Sequence, residues 1–150
     1  MRAVIQRVTR AKVSINNETR ASIEKGLVVL LGIEEADTLE DAEWLSQKIA
    51  RLRIFDDAQG VMNLPLTEVN GEILSISQFT LFAKTKKGNR PSYIQAAKPE
   101  TAIPLYNQFN SKLSVEISKE VKTGEFGANM LVELINDGPV TIIIDTKNKE

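Results

Sequence analysis

The chain has 150 residues, of which 42% are hydrophobic and 26% are charged, as in an ordinary globular protein. It contains no cysteine and no histidine, which excludes disulfides, Ser-His-Asp triads, Cys-His pairs and any metal site that needs either side chain. The net charge of −1 gives no overall attraction to nucleic acid, so binding of that kind must come from local clusters of cations.

The length predicts one domain that spans residues 1–150. No run of 18 or more apolar residues is present, so we predict no membrane-spanning segment and no membrane partner. Arg2 and Arg7 interrupt the first apolar residues too early for a secretory signal peptide. We therefore expect a cytoplasmic protein.

Apolar residues that recur at every second position predict β-strands in the first part of the chain. Two such runs cover residues 3–9 and 11–15, and a turn at Asn16-Asn17 leads to a hairpin partner at residues 18–23. Residues 26–33 are apolar on both faces, which predicts a central buried strand.

Apolar residues at helical spacing predict two helices. The first covers residues 38–51, and Thr38 followed by Asp41 resembles a capping box at its start. The second begins at Pro99. Pro104 lies inside this second helix, so we expect either a distorted first turn or a later regular start.

The other segments alternate between short strands and turns. A strand that starts at Glu72 is expected to carry on toward Leu81, and Pro65 limits its own strand to a sheet edge. We predict an α+β fold, a mostly antiparallel, barrel-like β-sheet with two main helices. The sequence has no glycine-rich phosphate loop, so no cofactor and no metal are predicted. Further strands are predicted at residues 53–55, 62–66, 115–121, 130–135 and 140–144, with turns at 70–71 and 136–139.

Two hydroxyls and an amide lie at the end of a predicted strand, beside a basic loop, in the run Ser77, Gln78, Phe79 and Thr80. Spacing alone favours an ordinary role, in which the hydroxyls bond to nearby backbone and Gln78 lies on the surface. A nucleophilic Thr80 needs an activating base, and no histidine exists to supply one. Backbone N–H groups at the strand end need no titrating partner to hold a developing oxyanion.

The basic loop that follows carries Lys84, Lys86, Lys87 and Arg90. Most runs of this kind are simply solvated, but with their polar neighbours these four cations are also suited to RNA phosphates. Arg7 lies in an alternating run, and it needs a partner if its side chain points inward.

Gly138 and Pro139 lie in a segment with the composition of a hairpin turn, which is its ordinary interpretation. A Gly-Pro bond also adopts the cis form at low cost, and the two flanking carbonyls then lie on the same side. Two parallel carbonyls are acceptors suited to an ammonium group.

Three segments taken together resemble the D-aminoacyl-tRNA deacylase family: residues 77–81, 88–92 and 136–141. Residues 5–8 and the stretch from Arg53 to Leu64 match it as well, so the resemblance covers essentially the whole chain in the family's order. Each motif alone is weak, whereas the set in register is specific.

The resemblance implies a homodimeric hydrolase that binds tRNA and serves proofreading in translation quality control. It would cleave the ester between a D-amino acid, or glycine, and the 3′ end of tRNA. Gly138-Pro139 would be cis and would reach into the other protomer's pocket, where its carbonyls hold the α-amino group and exclude an L side chain. Arg7 would brace this turn and Met130 would pack nearby.

The resemblance also implies that the residues from Ser77 to Thr80 line the pocket around the terminal adenosine and the scissile carbonyl. It is compatible with Thr80 as nucleophile or with the RNA 2′-hydroxyl assisting water, and the missing histidine favours the second. Two alternatives stay open: an ordinary esterase that uses Thr80, and a non-catalytic RNA-binding module that uses the basic clusters.

Overall fold

Strand β1 (Arg2–Ile15) is central to a six-stranded sheet in the computed structural model, which describes residues 1–150. It pairs antiparallel with β2 (Glu18–Ile23), β3 (Gly26–Gly32) and β8 (Leu131–Asp145). Strands β2 and β3 share one edge of β1, with β3 on residues 2–8 and β2 on residues 11–15. The two runs predicted at the start of the chain are thus one long strand.

The other side of β3 adds a parallel portion to the sheet. Strand β3 pairs parallel with β6 (Glu72–Ser77), which pairs parallel with β7 (Lys122–Thr123). Strand β2 lies close to β6 and β7, so the sheet curls into a nearly closed barrel. Three of the five pairings in this sheet are antiparallel, which confirms the predicted α+β, barrel-like fold.

Helices α1 (Leu39–Ala50) and α2 (Pro99–Ile117) pack against each other and cover the sheet with their apolar faces. The backbone N–H of Thr38 donates to Asp41 Oδ2 at 2.8 Å, which confirms the capping box. Helix α2 begins at Pro99 and runs through Pro104 without a break, so the later regular start is not observed. None of the helices is long and apolar enough to cross a membrane.

Short elements connect these larger ones. Strands β4 (Phe55–Asp56) and β5 (Met62–Leu64) form a two-stranded sheet, and β5 ends before Pro65 as an edge strand should. A 3₁₀ turn (Leu66–Val69) follows.

The strand predicted at residues 115–121 is wrong. Helix α2 continues to Ile117 and ends at Ser118, which has a left-handed backbone with φ 53°. Phe109, Leu113 and Ile117 are all buried and four residues apart, so they continue the apolar face of the helix. Only Lys122–Thr123 is strand.

The predicted extension of β6 to Leu81 is also wrong. The strand ends at Ser77, and a 3₁₀ turn (Phe79–Phe82) follows. The turn places Phe82 in the protein interior, where it is 1% exposed.

The hairpin turn predicted at residues 136–139 is a bulge within β8. Gln6 pairs with Thr141 and Val8 pairs with Asn136, so both halves of β8 run in the same direction along β1. Residues 137–140 therefore bulge out opposite the single residue Arg7.

Candidate active site

A cavity of about 270 Å³ opens at the end of β6. Ser77, Gln78 and Phe79 line one side, and Phe126 and Met130 line another. Most of the remaining lining is apolar. The cavity thus brings together Met130 and three of the four residues predicted at the strand end, although Met130 is about fifty positions away in the sequence.

The 3₁₀ turn at this end of β6 is fixed by backbone hydrogen bonds. The N–H of Gln78 donates to Leu31 O at 2.7 Å, which ties the turn to β3. The N–H of Leu81 donates to Gln78 O at 3.2 Å, as the first bond within the turn. The N–H groups of Phe79 and Thr80 precede that bond and have no acceptor inside the turn. Phe79 lines the cavity, so these two N–H groups are candidate donors to an oxyanion formed there.

Thr80 follows the cavity-lining residues without lining the cavity itself. Its hydroxyl accepts a hydrogen bond from Gln78 Nε2. An amide cannot take up a proton, so this contact orients the hydroxyl without activating it. Nowhere in residues 1–150 do three or more Asp or Glu side chains gather as ligands for a metal ion.

Arg2 braces the same turn from outside, a role that its position near the start of the chain does not reveal. Its Nη1 donates to Leu81 O at 3.1 Å and its Nε to Asp145 Oδ2 at 2.7 Å. The guanidinium also lies 4.6 Å from the centre of the Phe82 ring. Partial burial raises the pKa of Asp145, but the hydrogen bonds from Arg2 and from the backbone N–H of Lys147 together lower it overall.

Arg7 points inward, with 6% of its surface exposed, and it has the partners that an inward arginine needs. Its Nη1 donates to Ile54 O at 2.7 Å and to Asp56 Oδ1 at 3.2 Å. Its Nε donates to Asp137 O at 3.0 Å, so the guanidinium holds the start of the bulge in β8.

The bulge projects from the sheet at Gly138 and Pro139, both of which are exposed. The peptide bond between them is cis, as the resemblance implies. The N–H of Val140 donates to Asn136 Oδ1 at 2.8 Å, which closes the base of the bulge. Neither Gly138 nor Pro139 lines the cavity of its own chain.

The basic loop is closed by a pair of backbone hydrogen bonds. The N–H of Lys84 donates to Ser92 O at 2.8 Å, and the N–H of Ser92 donates to Lys84 O at 3.0 Å. The side chains of Lys84, Lys86, Lys87 and Arg90 are all exposed on it.

Residues 4–145 match the family described as D-Tyr-tRNA(Tyr) deacylase. The chain belongs to this family. It is 65% identical to a D-aminoacyl-tRNA deacylase of Bacteroides fragilis and 62% identical to one of Flavobacterium psychrophilum, each over the full length of both chains. These findings confirm the resemblance and, with it, the expectation of a hydrolase.

Two solved structures share the fold of this deacylase. One is titled "c-Myc DNA Unwinding Element Binding Protein"; it is 41% identical, with a TM-score of 0.89 over 97% of this chain and 98% of that one. The other is titled as a probable eukaryotic D-amino acid tRNA deacylase, with a TM-score of 0.82 over 95% of this chain and 97% of that one. At 17% identity this second likeness supports the fold alone.

Tyr106 of the deacylase supports the cavity from behind, a role not predicted from the sequence. Its hydroxyl donates to Ser75 O at 2.9 Å, and its ring lies 5.8 Å from that of Phe126, a cavity wall. Burial raises the pKa of Tyr106, so the phenol keeps its proton and remains a donor. The only sequence signal is a tyrosine on the buried face of α2.

Proposed function

We propose that this deacylase hydrolyses the ester bond of D-aminoacyl-tRNA, releasing tRNA and the free D-amino acid. Relatives of that name, 56–65% identical along the whole chain, support this activity. The carrying observation is the cavity at the end of β6, which is lined by Phe79 at the start of the 3₁₀ turn and by no side chain able to activate a nucleophile. Such a site suits an ester substrate that carries its own group for orienting and deprotonating the attacking water.

In the proposed mechanism the N–H groups of Phe79 and Thr80 stabilise the oxyanion that forms when water attacks the ester carbonyl. The neighbouring 2′-hydroxyl of the terminal ribose orients the water and relays its proton. When the tetrahedral intermediate collapses, the 3′ oxygen leaves and takes up that proton. Ser77 and Gln78 line the pocket and position the adenosine.

The stereochemical selection is proposed to come from a homodimer, in which the Gly138-Pro139 bulge of each protomer enters the cavity of its partner. The bulge is exposed, is held by Arg7 and does not line the cavity of its own chain. A bulge beside the α-carbon excludes an L side chain by steric contact. Extra favourable contacts to the substrate would instead strengthen the binding of both enantiomers. Glycine has no side chain to exclude, so glycyl-tRNA is a substrate in this scheme.

Strand β8 supplies the proposed dimer surface. It pairs only with β1, so its other edge is free for a second chain. Leu131, Ile135 and Ile143 along it are 62%, 46% and 72% exposed, an apolar strip of the kind that marks protein interfaces.

The tRNA body is proposed to bind the loop that carries Lys84, Lys86, Lys87 and Arg90, whose cations would neutralise backbone phosphates. We place the reaction in the cytoplasm, where aminoacyl-tRNA is used. The same exposed cations favour the second candidate function, RNA binding without catalysis, which predicts affinity for tRNA with no ester cleavage.

Incubation with D-Tyr-tRNA and L-Tyr-tRNA separates these functions. The proposal predicts rapid cleavage of the D ester and a rate for the L ester close to that in buffer. If neither ester is cleaved faster than in buffer, the hydrolase proposal fails and the binding module stands.

The shared site can be tested by mixing two inactive variants. Gly138→Val disturbs the bulge, because a Cβ there would already lie 2.7 Å from Val140 Cγ2. Met130→Trp fills the cavity. Mixing equal amounts of the two variants should restore about a quarter of wild-type activity, since half the dimers then hold one intact site. No recovery, with heterodimers shown by mass spectrometry, would place the whole site in one chain.

The role of the RNA is tested with D-Tyr-tRNA that ends in 2′-deoxyadenosine. The proposed mechanism predicts a rate lower by about 100-fold or more, the usual contribution of a positioned proton relay. Cleavage at the normal rate would rule out a role for the 2′-hydroxyl and favour Thr80 as the nucleophile.

A further inference from the structure

Tyr93 extends the mouth of the cavity outward. Its ring packs edge-to-face on Phe79, with centroids 5.1 Å apart and planes at 78°. Phe79 lines the cavity and Tyr93 does not, so Tyr93 occupies the next position away from it. Phe79 is 56% exposed and Tyr93 is 38% exposed. A strip of accessible aromatic surface therefore begins in the cavity and continues onto the protein surface.

The basic loop lies directly beside this strip. The backbone bonds between Lys84 and Ser92 close the loop, and Tyr93 is the first residue after them. The loop from Lys84 to Ser92 contains four cations and no acidic residue, although the chain as a whole has a net charge of −1. This local excess of cations distinguishes the strip from the other exposed apolar residues.

Exposed aromatic rings next to cations are the combination that binds single-stranded nucleic acid, because bases stack on the rings and phosphates pair with the cations. A protein partner with an apolar binding face would gain nothing from the adjacent cations. The chemistry of this surface thus favours RNA.

We propose that Tyr93 forms a second nucleotide subsite, which stacks the base that precedes the terminal adenosine in the single-stranded 3′ end of tRNA. The loop from Lys84 to Arg90 holds the phosphates on the 5′ side of that base. The inference rests on the proposed function, since it takes the cavity beside Phe79 as the site of the terminal adenosine.

The test compares Tyr93→Ala with wild type on D-Tyr-tRNA and on D-tyrosyl-adenosine, which lacks every preceding nucleotide. Loss of one stacked base should raise KM for D-Tyr-tRNA about tenfold, with kcat little changed. The loss of kcat/KM on D-tyrosyl-adenosine should be several times smaller. Tyr93→Phe keeps the ring and should recover the wild-type KM. Val115→Ala, which alters a 78% exposed side chain on α2, is the control.

Equal losses on the two esters would overturn the proposal, because Tyr93 would then act only by supporting Phe79. An unchanged KM for D-Tyr-tRNA would overturn it as well. Affinity for an uncharged RNA oligonucleotide with the sequence of the tRNA 3′ end is measured in parallel. If wild type cleaves neither ester, the proposed function fails. A tenfold affinity loss in Tyr93→Ala but not in Tyr93→Phe still supports the subsite, and no loss contradicts it.

Discussion

Replacing Arg7 by Met tests how far one buried guanidinium holds the bulge in β8. The substitution keeps an unbranched chain but removes the donors to Ile54 O at 2.7 Å, Asp137 O at 3.0 Å and Asp56 Oδ1 at 3.2 Å. Each hydrogen bond that involves a charged group contributes about 1.5–3 kcal/mol, but such values do not add fully. The carboxylates of Asp56 and Asp137 stay in contact with water, since their side chains are 52% and 41% exposed. The loss therefore comes mainly from the buried hydrogen bonds and totals about 3–4 kcal/mol.

A loss of this size is a large share of the stability of a domain, which is about 5–15 kcal/mol. The urea midpoint of Arg7→Met should fall by about 2 M, given a typical dependence of about 1–3 kcal/mol per molar urea. The fluorescence of Trp44, the one tryptophan, reports the transition.

Arg10→Met is the matched control, because Arg10 lies on the same strand with an exposed side chain. Its effect should stay within about 0.5 kcal/mol, as is usual for exposed positions. If the two variants unfold at the same urea concentration, the hydrogen bonds of Arg7 do not stabilise the fold as argued.

Three further predictions concern the site turn, the pH dependence and the sheet. Thr80→Ala should keep kcat within about tenfold of wild type, whereas a loss of about 10⁴-fold would identify a nucleophile. Partial burial raises the pKa of Asp41, but the hydrogen bond from Lys147 helps to lower it well below its ordinary value of 3.8. Its contribution to stability is therefore present above about pH 5 and is lost as pH falls further. Wild type should lose more stability than Asp41→Asn between about pH 5 and pH 3 in urea titrations; equal losses would contradict this. Gly26→Ala places a Cβ 1.9 Å from Glu72 O, so it should separate β3 from β6 and lower the urea midpoint. An unchanged midpoint would show that the strands can move apart freely.

Much of the fold follows from local patterns in the sequence. The alternation in β1, the continuous apolar run of β3 and the capping box at Thr38 each have a short-range physical cause, and the structure contains all three. The bulge in β8 has a long-range cause. The local sequence Asp-Gly-Pro is typical of a hairpin turn and predicts the wrong structure. Only the pairing of both halves of β8 with β1 fixes the direction of the chain there.

The same distinction applies to the candidate site. The absence of histidine and the polar residues at the end of β6 are visible in the sequence, and together they favour backbone donors over a side-chain nucleophile. Three contacts join segments that are separate in the sequence: the hydrogen bond from Arg2 to Leu81, the packing of Tyr93 on Phe79 and the hydrogen bond from Tyr106 to Ser75. No spacing rule reveals such contacts before the fold is known.

We propose above that this deacylase selects the D ester by steric exclusion and uses no side-chain nucleophile. The most direct measurement is the kcat/KM of the protein for D-Tyr-tRNA and for L-Tyr-tRNA. We expect a preference for the D ester of about 1,000-fold or more, since a steric clash at the α-carbon leaves no productive pose for the L ester. Comparable rates for the two esters would contradict it.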